Sequence, residues 1–120
     1  MVRAIAVPRL SNTDVRRVML RYFYDRNAAA RSAFGKMGAY VRISVLRRDM
    51  KEGFDIAAQQ VIANLTYLIS EGWVNERQIT KTVMTPRGVS VPSETRYYVI
   101  TARGIDKIEW PAPQNLIQAL

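Results

Sequence analysis

Clustered arginine and lysine side chains are the most informative chemical groups in this sequence. No aspartate or glutamate occurs between Asp25 and Asp49, or between Glu76 and Glu94, although both stretches are rich in cations. The chain has 18 Lys+Arg against 10 Asp+Glu, and its net charge is +8. A guanidinium donates two parallel hydrogen bonds to a phosphate or to guanine. Clustered positive charge therefore indicates a nucleic-acid partner, with a solvated basic face as the alternative.

The sequence contains few groups that could catalyse a reaction. Without histidine or cysteine it has no imidazole relay, no thiolate nucleophile and no zinc finger. Asp25, Asp49 and Asp55 are a conceivable set of catalytic carboxylates, but they fall at the ends of predicted elements, where capping and ion pairs account for them. Gly35-Lys36 lacks the earlier glycine of a phosphate-binding loop. We therefore expect no enzymatic activity, no cofactor and no bound metal.

The length of 120 residues fits a single domain. We divide the chain into an N-terminal arm (residues 1–10), a folded domain (residues 11–109) and an apolar tail (residues 110–120). No apolar run approaches the roughly 18 residues of a membrane span, and the first residues lack the apolar segment of a signal peptide. These features predict a cytoplasmic, nucleoid-associated protein without a membrane partner.

The first half of the predicted domain contains a long helix, a short strand and a second helix. The long helix begins at the cap Ser11 and has an apolar stripe at helical spacing up to Phe23, with its arginines in solvent. The strand covers residues 39–43. The second helix begins at the cap Ser44 and has about two turns.

The third predicted helix covers residues 56–71 and has no charged side chain as far as Ser70. It follows a turn at Gly53 and is capped by Asp55. At 100° per residue its core face is centred near Leu65. The opposite face is formed by Ile56, Gln59, Ala63, Thr66 and Ser70, with Gln60 and Tyr67 beside it.

A long basic hairpin and a short helix complete the predicted domain. Alternation over residues 77–85 predicts a strand, which is followed by the turn residues 86–88 and a connection that extends to Pro92. Aromatic and β-branched residues over 95–100 predict the return strand. Thr101 then caps the last helix.

Two motifs in this order of elements resemble the winged helix-turn-helix superfamily of prokaryotic DNA-binding proteins. The first, Leu65-Thr-Tyr-Leu68-Ile-Ser-Glu-Gly72-Trp73-Val74, is similar to the end of a recognition helix and the strand after it. The second, Tyr98-Val-Ile-Thr101-Ala-Arg-Gly104-Ile105, looks like the last wing strand running into a Thr-x-x-Gly helix start. The resemblance covers residues 11–109. It implies an α+β fold, with a three-helix core and a small antiparallel sheet whose hairpin is the wing.

The resemblance also implies a role for each candidate residue. Double-stranded DNA is the implied partner, transcriptional regulation is the implied function, and the helix over 56–71 is the implied recognition helix in the major groove. The implied base contacts come from Gln59, Gln60, Ala63, Thr66 and Tyr67. The implied backbone or minor-groove contacts come from Arg42, Arg47, Arg48, Lys81 and Arg87.

The uncharged recognition helix departs from the pattern of the superfamily. Many such helices carry an arginine or lysine, whereas this one has neither, which makes a winged-helix module for protein–protein interaction the alternative function. A homodimer is expected for the DNA-binding regulator, with the first helix and the tail over residues 110–120 as its contacts. Charge alone does not distinguish DNA from RNA as the nucleic acid.

Overall fold

The computed structural model of the chain describes residues 10–33 and 39–110. Over these two ranges the protein is α+β, with four helices and a three-stranded antiparallel sheet. This order of elements is the predicted one and is compatible with a winged helix. The elements are α1 (Asn12–Ala33), β1 (Val41–Arg42), α2 (Ile43–Phe54), α3 (Ala58–Ser70), β2 (Val74–Met84), β3 (Ser90–Ile100) and α4 (Ala102–Glu109).

Helix α1 begins at the predicted cap. The backbone N–H of Asp14 donates to Ser11 Oγ at 3.1 Å, and the Ser11 hydroxyl donates to the Asp14 carboxylate at 2.9 Å. The apolar stripe faces the core, where Val15, Met19 and Phe23 are buried. Gly35 and Gly38, which the sequence predicts to end this helix after its alanine-rich segment, lie outside the described residues.

The start of α2 differs from the prediction. β1 contains only Val41 and Arg42, and α2 begins directly at Ile43, so Ser44 lies in the first turn and does not cap it. Arg42 is the N-cap residue, and its side chain makes no cap hydrogen bond. Leu46 lies in the core, with Met50 one turn later on the same face.

Three residues join α2 to α3, which is a length typical of helix-turn-helix connections. Asp55 was predicted to cap α3 but closes α2 instead, in a left-handed conformation (φ 54°) that aspartate tolerates. Its carboxylate pairs with Lys51 Nζ at 2.5 Å. Ile56 was predicted on the outward face of α3, but it lies in the turn before the helix, so helical spacing does not set the direction of its side chain. It is buried in the core and only 2% exposed. Helix α3 begins at Ala58, after the N-cap Ala57.

The sheet has the order β1–β3–β2 with antiparallel neighbours. β2 and β3 pair along their whole length, from Val74 opposite Ile100 to Met84 opposite Ser90. The connection is therefore confined to residues 85–89, and the predicted extension to Pro92 is wrong. β1 pairs only with Tyr97 and Tyr98 in this structure, so β3 has no second neighbour at the level of Pro92, and a proline is tolerated there.

Helices α1 to α3 and the base of the sheet share one hydrophobic core. Helix α4 covers one side of it through the half-buried Ile105 and Ile108. None of the described helices is long and apolar enough to cross a membrane. The buried core residues are Val15, Met19, Leu20, Phe23, Val41, Leu46, Met50, Ile56, Val61, Leu65, Leu68, Val74, Tyr98 and Ile100.

Thr101 ties α4 to the end of α3, and its predicted role as a cap is confirmed. Its hydroxyl oxygen accepts a hydrogen bond from the backbone N–H of Gly104 at 3.0 Å and donates one to the carbonyl of Gly72 at 2.6 Å. Gly72 has a φ of 76°, which suits a glycine that ends a helix. One hydroxyl therefore fixes the position of α4 relative to the turn after α3.

A hydrogen bond between Tyr22 and Asp49 joins α1 to α2. The Tyr22 hydroxyl donates to the Asp49 carboxylate at 2.5 Å, and Arg48 donates to the other oxygen at 3.1 Å. Burial and the hydrogen bond to Asp49 raise the pKa of Tyr22 to about 12. Burial alone raises the pKa of Asp49, but the hydrogen bonds from Tyr22 and Arg48 outweigh it, so that this pKa is lower than usual.

We expect the Tyr22 hydroxyl to make stability depend on alkaline pH. Its pKa is higher in the folded protein than the ordinary 10.0, so its contribution is complete below pH 10 and is lost as the pH rises towards 12. Because the side chain is half-exposed, the loss is about 1 kcal/mol. Urea unfolding of the wild type and of Tyr22→Phe between pH 10 and pH 12 measures this loss of stability. Parallel pH profiles for the two proteins would contradict the prediction.

Candidate nucleic-acid interface

Helix α3 presents an uncharged face to solvent. Its exposed residues recur at helical spacing and agree with the predicted outward face, except that Ile56 is absent from it and Ile62 belongs to it. Ile62 is 48% exposed, which is unusual for a large apolar side chain on a helix that also packs into the core. The Thr66 hydroxyl donates to the carbonyl of Ile62 at 3.0 Å. The face consists of Gln59, Ile62, Ala63, Thr66 and Ser70.

The flank of α3 next to this face is occupied by α1. Gln60 was predicted to contact bases, but its Nε2 donates to the carbonyl of Leu10 at 2.9 Å. Tyr67 was also predicted there, and the Arg16 guanidinium lies 3.6 Å from the centroid of its ring. Arg16 itself was expected in solvent. Residues at 60, 64 and 67 lie on one side of a helix, so α1 and Leu10, which precedes it, contact both candidates.

Asn64 is the polar residue that fixes this contact, and no pattern in the sequence distinguishes it from the other polar residues of α3. It is only 1% exposed. Its Oδ1 accepts from Arg16 Nε at 2.9 Å, and its Nδ2 donates to Asn12 Oδ1 at 3.1 Å and to the carbonyl of Gln60 at 2.8 Å. A buried amide with all these partners sets the orientation of α3 against α1.

We expect Asn64→Ala to lower the free energy of unfolding by about 2 kcal/mol, because it removes three hydrogen bonds and leaves a small cavity. Asn75→Ala is the matched control, since Asn75 is exposed on β2 and its loss costs about 0.5 kcal/mol or less. Chemical denaturation of both variants measures the difference. Equal midpoints would show that the buried amide does not fix the helices.

The two candidate arginines of α2 have different surroundings. Both are exposed. Arg48 is paired with the Asp49 carboxylate at 3.1 Å, while Arg47 makes no ion pair with any described residue. Arg47 is therefore the more available of the two for a phosphate.

The outer face of the sheet brings together Arg42 and Lys81, which are far apart in sequence. Arg42 and Arg77 both lie opposite Tyr97, so the three side chains form one row across the strands. Lys81 lies on the same face, four residues after Arg77. The core residues Val41, Tyr98 and Ile100 alternate with this row, so the basic row points away from the helices. Arg77 was not among the predicted site residues, and the register is what identifies it.

The hairpin beyond this row is a two-stranded ribbon. From Arg77 to Met84 it extends by roughly 24 Å at about 3.4 Å per residue. Arg87 lies in the turn at its tip and is exposed, as predicted. The tip also exposes Met84 and Val89, at 71% and 56%. The tip of the ribbon therefore exposes one cation, Arg87, together with the apolar side chains of Met84 and Val89.

A groove connects the sheet to the start of α2. It is about 490 Å³ in volume and is lined by Arg42, Ser44 and Arg96 among others. The first turn of α2 contains no acidic residue, so its backbone N–H groups add to the positive potential of the two arginines. Glu94 also lines the groove and is its one acidic residue. Arg96 is a second cation that the predicted site did not include.

The aspartates considered as a catalytic set lie in separate ion pairs. Asp25 pairs with Arg21 at 3.1 Å, and Asp49 and Asp55 pair with Arg48 and Lys51 as described above. Within residues 10–33 and 39–110, no group of three or more acidic side chains could hold a metal ion. The tail predicted to contact a second copy lies outside the described residues apart from Trp110, which is 64% exposed.

Comparison of the sequence with protein-family models and with curated proteins finds no match. Any statement about the function of this chain therefore depends on its own residues and their geometry. Those residues form two surfaces: the uncharged face of α3 beside the basic helix α2, and the basic outer face of the sheet that leads to Arg87.

Proposed function

We propose that this chain is a sequence-specific double-stranded DNA-binding protein of the winged-helix type, acting as a transcriptional regulator. The exposed, uncharged face of α3 is the observation that carries the proposal. This face follows a three-residue turn after a basic helix, and it is unobstructed by the rest of the described fold. In this arrangement α3 enters the major groove and the β2–β3 hairpin is the wing.

Base contacts in this proposal come from fewer residues than the sequence predicted. Gln59 is exposed in the first turn of α3, where its amide is available to pair with adenine. Ala63 and the apolar Ile62 are exposed one turn later and are suited to contact thymine methyl groups. Gln60 and Tyr67 support the interface indirectly, because their contacts hold α3 against α1. Readout by these groups favours A·T-rich sites.

Phosphate contacts in this proposal come from both sides of α3. Arg47 on α2 and the Arg42–Arg96 groove provide positive charge beside the helix. Lys81 and Arg87 provide it along the wing, which is long enough to cross a major groove about 12 Å wide. Arg77 extends the basic row at the base of the wing. Sequence-independent attraction to the DNA backbone is expected from these cations.

The proposal is tested by fluorescence anisotropy with duplexes selected from a random pool. If about six phosphates are neutralised, the logarithm of the association constant falls with the logarithm of salt concentration with a slope near −5. Selected duplexes should bind at least about a thousandfold more tightly than unselected ones. A palindrome with half-sites about one helical turn apart would support the homodimer that we also propose. Failure of every duplex to bind at low salt would overturn the proposal.

A protein-interaction module is the second candidate, and the exposure of Ile62 favours it. An apolar side chain on an uncharged face suits a protein partner as well as a thymine methyl group. The variant Gln59→Ala distinguishes the two functions. Loss of affinity for a selected duplex supports base readout, whereas unchanged duplex affinity combined with loss of a co-purifying protein supports the module. A matched control is Gln78→Ala, since Gln78 is an exposed glutamine on the wing.

A further inference from the structure

A groove between α1, α4 and the end of α3 is distinct from the surfaces described above. Its volume is about 290 Å³, and its walls come from three different helices and from the turn after α3. This groove combines an apolar floor with positive charge. Its lining includes Arg16, Arg17, Leu20, Tyr67, Trp73 and Lys107.

The floor of the groove is aromatic. Tyr67 and Trp73 meet edge to face, with ring centroids 6.2 Å apart and an interplanar angle of 68°. Leu20 lies beside them and is 6% exposed. Such a floor offers apolar surface for a flat aromatic body.

Three cations surround this floor. Arg16 lies over the Tyr67 ring and is fixed by the hydrogen bond from its Nε to Asn64. The Nζ of Lys107 lies 5.2 Å from the centroid of the Trp73 ring. Arg17 is exposed, and none of the three cations forms an ion pair with a carboxylate in the described ranges.

The charges of the groove are therefore not balanced by its own lining. No acidic residue lines it in the part of the chain that the structure describes. Like charges that share a concave, partly apolar site raise the local potential and favour an anion. A guanidinium is a preferred partner of a carboxylate, because its planar donors match the two oxygens.

We propose that this groove binds a small organic carboxylate with a flat aromatic body. The ring lies against Trp73, Leu20 and the Arg16 guanidinium that covers Tyr67. The carboxylate reaches Arg17 and Lys107 at the rim. An anion without an apolar body, such as a phosphate of DNA, would leave the aromatic floor unused. Binding in the groove requires neither a duplex nor a second copy of the chain, so this proposal stands or fails separately from DNA binding.

The test is a titration of the isotopically labelled full-length chain with 2-naphthoate, followed by NMR. We expect saturable shifts confined to α1 residues near position 17, to residues 67 and 73, and to α4, with a dissociation constant of about 1 mM or below. Neutral 2-naphthamide and inorganic phosphate are the two comparison probes. We expect each to bind at least about tenfold more weakly, because each lacks one of the two interactions.

A pair of arginine variants completes the test. Arg17→Gln should weaken 2-naphthoate about fivefold or more, because it removes a charged partner. Arg21→Gln is the matched control on the same helix. Arg21 is exposed, pairs with Asp25 and is not among the residues that line the groove. The affinity of this variant for 2-naphthoate should therefore change less than twofold. The proposal would be overturned if 2-naphthamide or phosphate bound as tightly as 2-naphthoate. It would also be overturned if the shifts lay outside the groove, or if the two variants had equal effects on the affinity for 2-naphthoate.

Discussion

Gly104→Ala is expected to destabilise the protein by about 3 kcal/mol, which is a large effect for one methyl group. A Cβ at position 104 would lie 2.2 Å from the carbonyl oxygen of Trp73 and 2.7 Å from Ile100 Cγ1. That oxygen accepts a hydrogen bond from the backbone N–H of Thr101 at 3.0 Å. Because the clash is with backbone, relief requires movement of α4 away from the strand and loss of this bond.

Gly53→Ala is the matched control for this prediction. Gly53 lies within α2, and a Cβ there would meet nothing within 4 Å. Alanine in a helix is favoured over glycine by about 0.5–1 kcal/mol, so this variant should be slightly more stable than the wild type. Thermal and chemical denaturation measure both variants. Similar stabilities for the two variants would mean that α4 is not packed against Trp73 in solution.

Ala63→Glu is expected to reduce the affinity for a selected duplex by about a hundredfold or more, equivalent to roughly 2.7 kcal/mol. Ala63 is at the centre of the uncharged face of α3, and it is exposed, so the substitution does not disturb the core. In the proposed complex the new carboxylate would enter the major groove between two rows of phosphates. It would be repelled by them and would also displace an apolar base contact.

Ala102→Glu controls for the change in net charge. Ala102 is exposed in the first turn of α4 and lies outside α1 and outside both proposed DNA-binding surfaces. One added negative charge at a distance should weaken binding by no more than about threefold at physiological salt, because screening limits its effect. Anisotropy titrations of both variants provide the comparison. Equal losses would indicate that net charge matters and that α3 does not enter the groove, which would remove the main support for base readout.

Much of the fold could be predicted because it depends on local patterns. The apolar stripe of α1, the Ser11 cap, Gly72 at the end of α3 and the Thr101 cap follow from helical spacing and from side chains that bond to nearby backbone. The boundaries of α2 and α3 could not be predicted in the same way. Ser44 and Asp55 are suitable caps in isolation, but α2 begins directly after β1 and Asp55 closes α2, so these boundaries depend on the neighbouring elements.

The candidate site was predicted less completely, for a different physical reason. Helical periodicity separates the core face of α3 from the rest, and it correctly placed Gln59, Ala63 and Thr66 on the exposed face. It cannot tell which flank of that face a neighbouring helix covers. The flank holding Gln60 and Tyr67 is bound by α1, and the opposite flank holding Ile62 is open to solvent.

The sequence by itself determined the order of elements, the uncharged outward face of α3 and the concentration of cations before α3 and in the hairpin. These properties depend on residue type and on spacing along one element. The tertiary structure alone decided that Arg42, Arg77 and Lys81 share one face of the sheet, because strand register sets that alignment. The tertiary structure also decided that Arg16 donates a hydrogen bond to Asn64 instead of extending into solvent. Residues 48 positions apart meet only when α1 packs on α3.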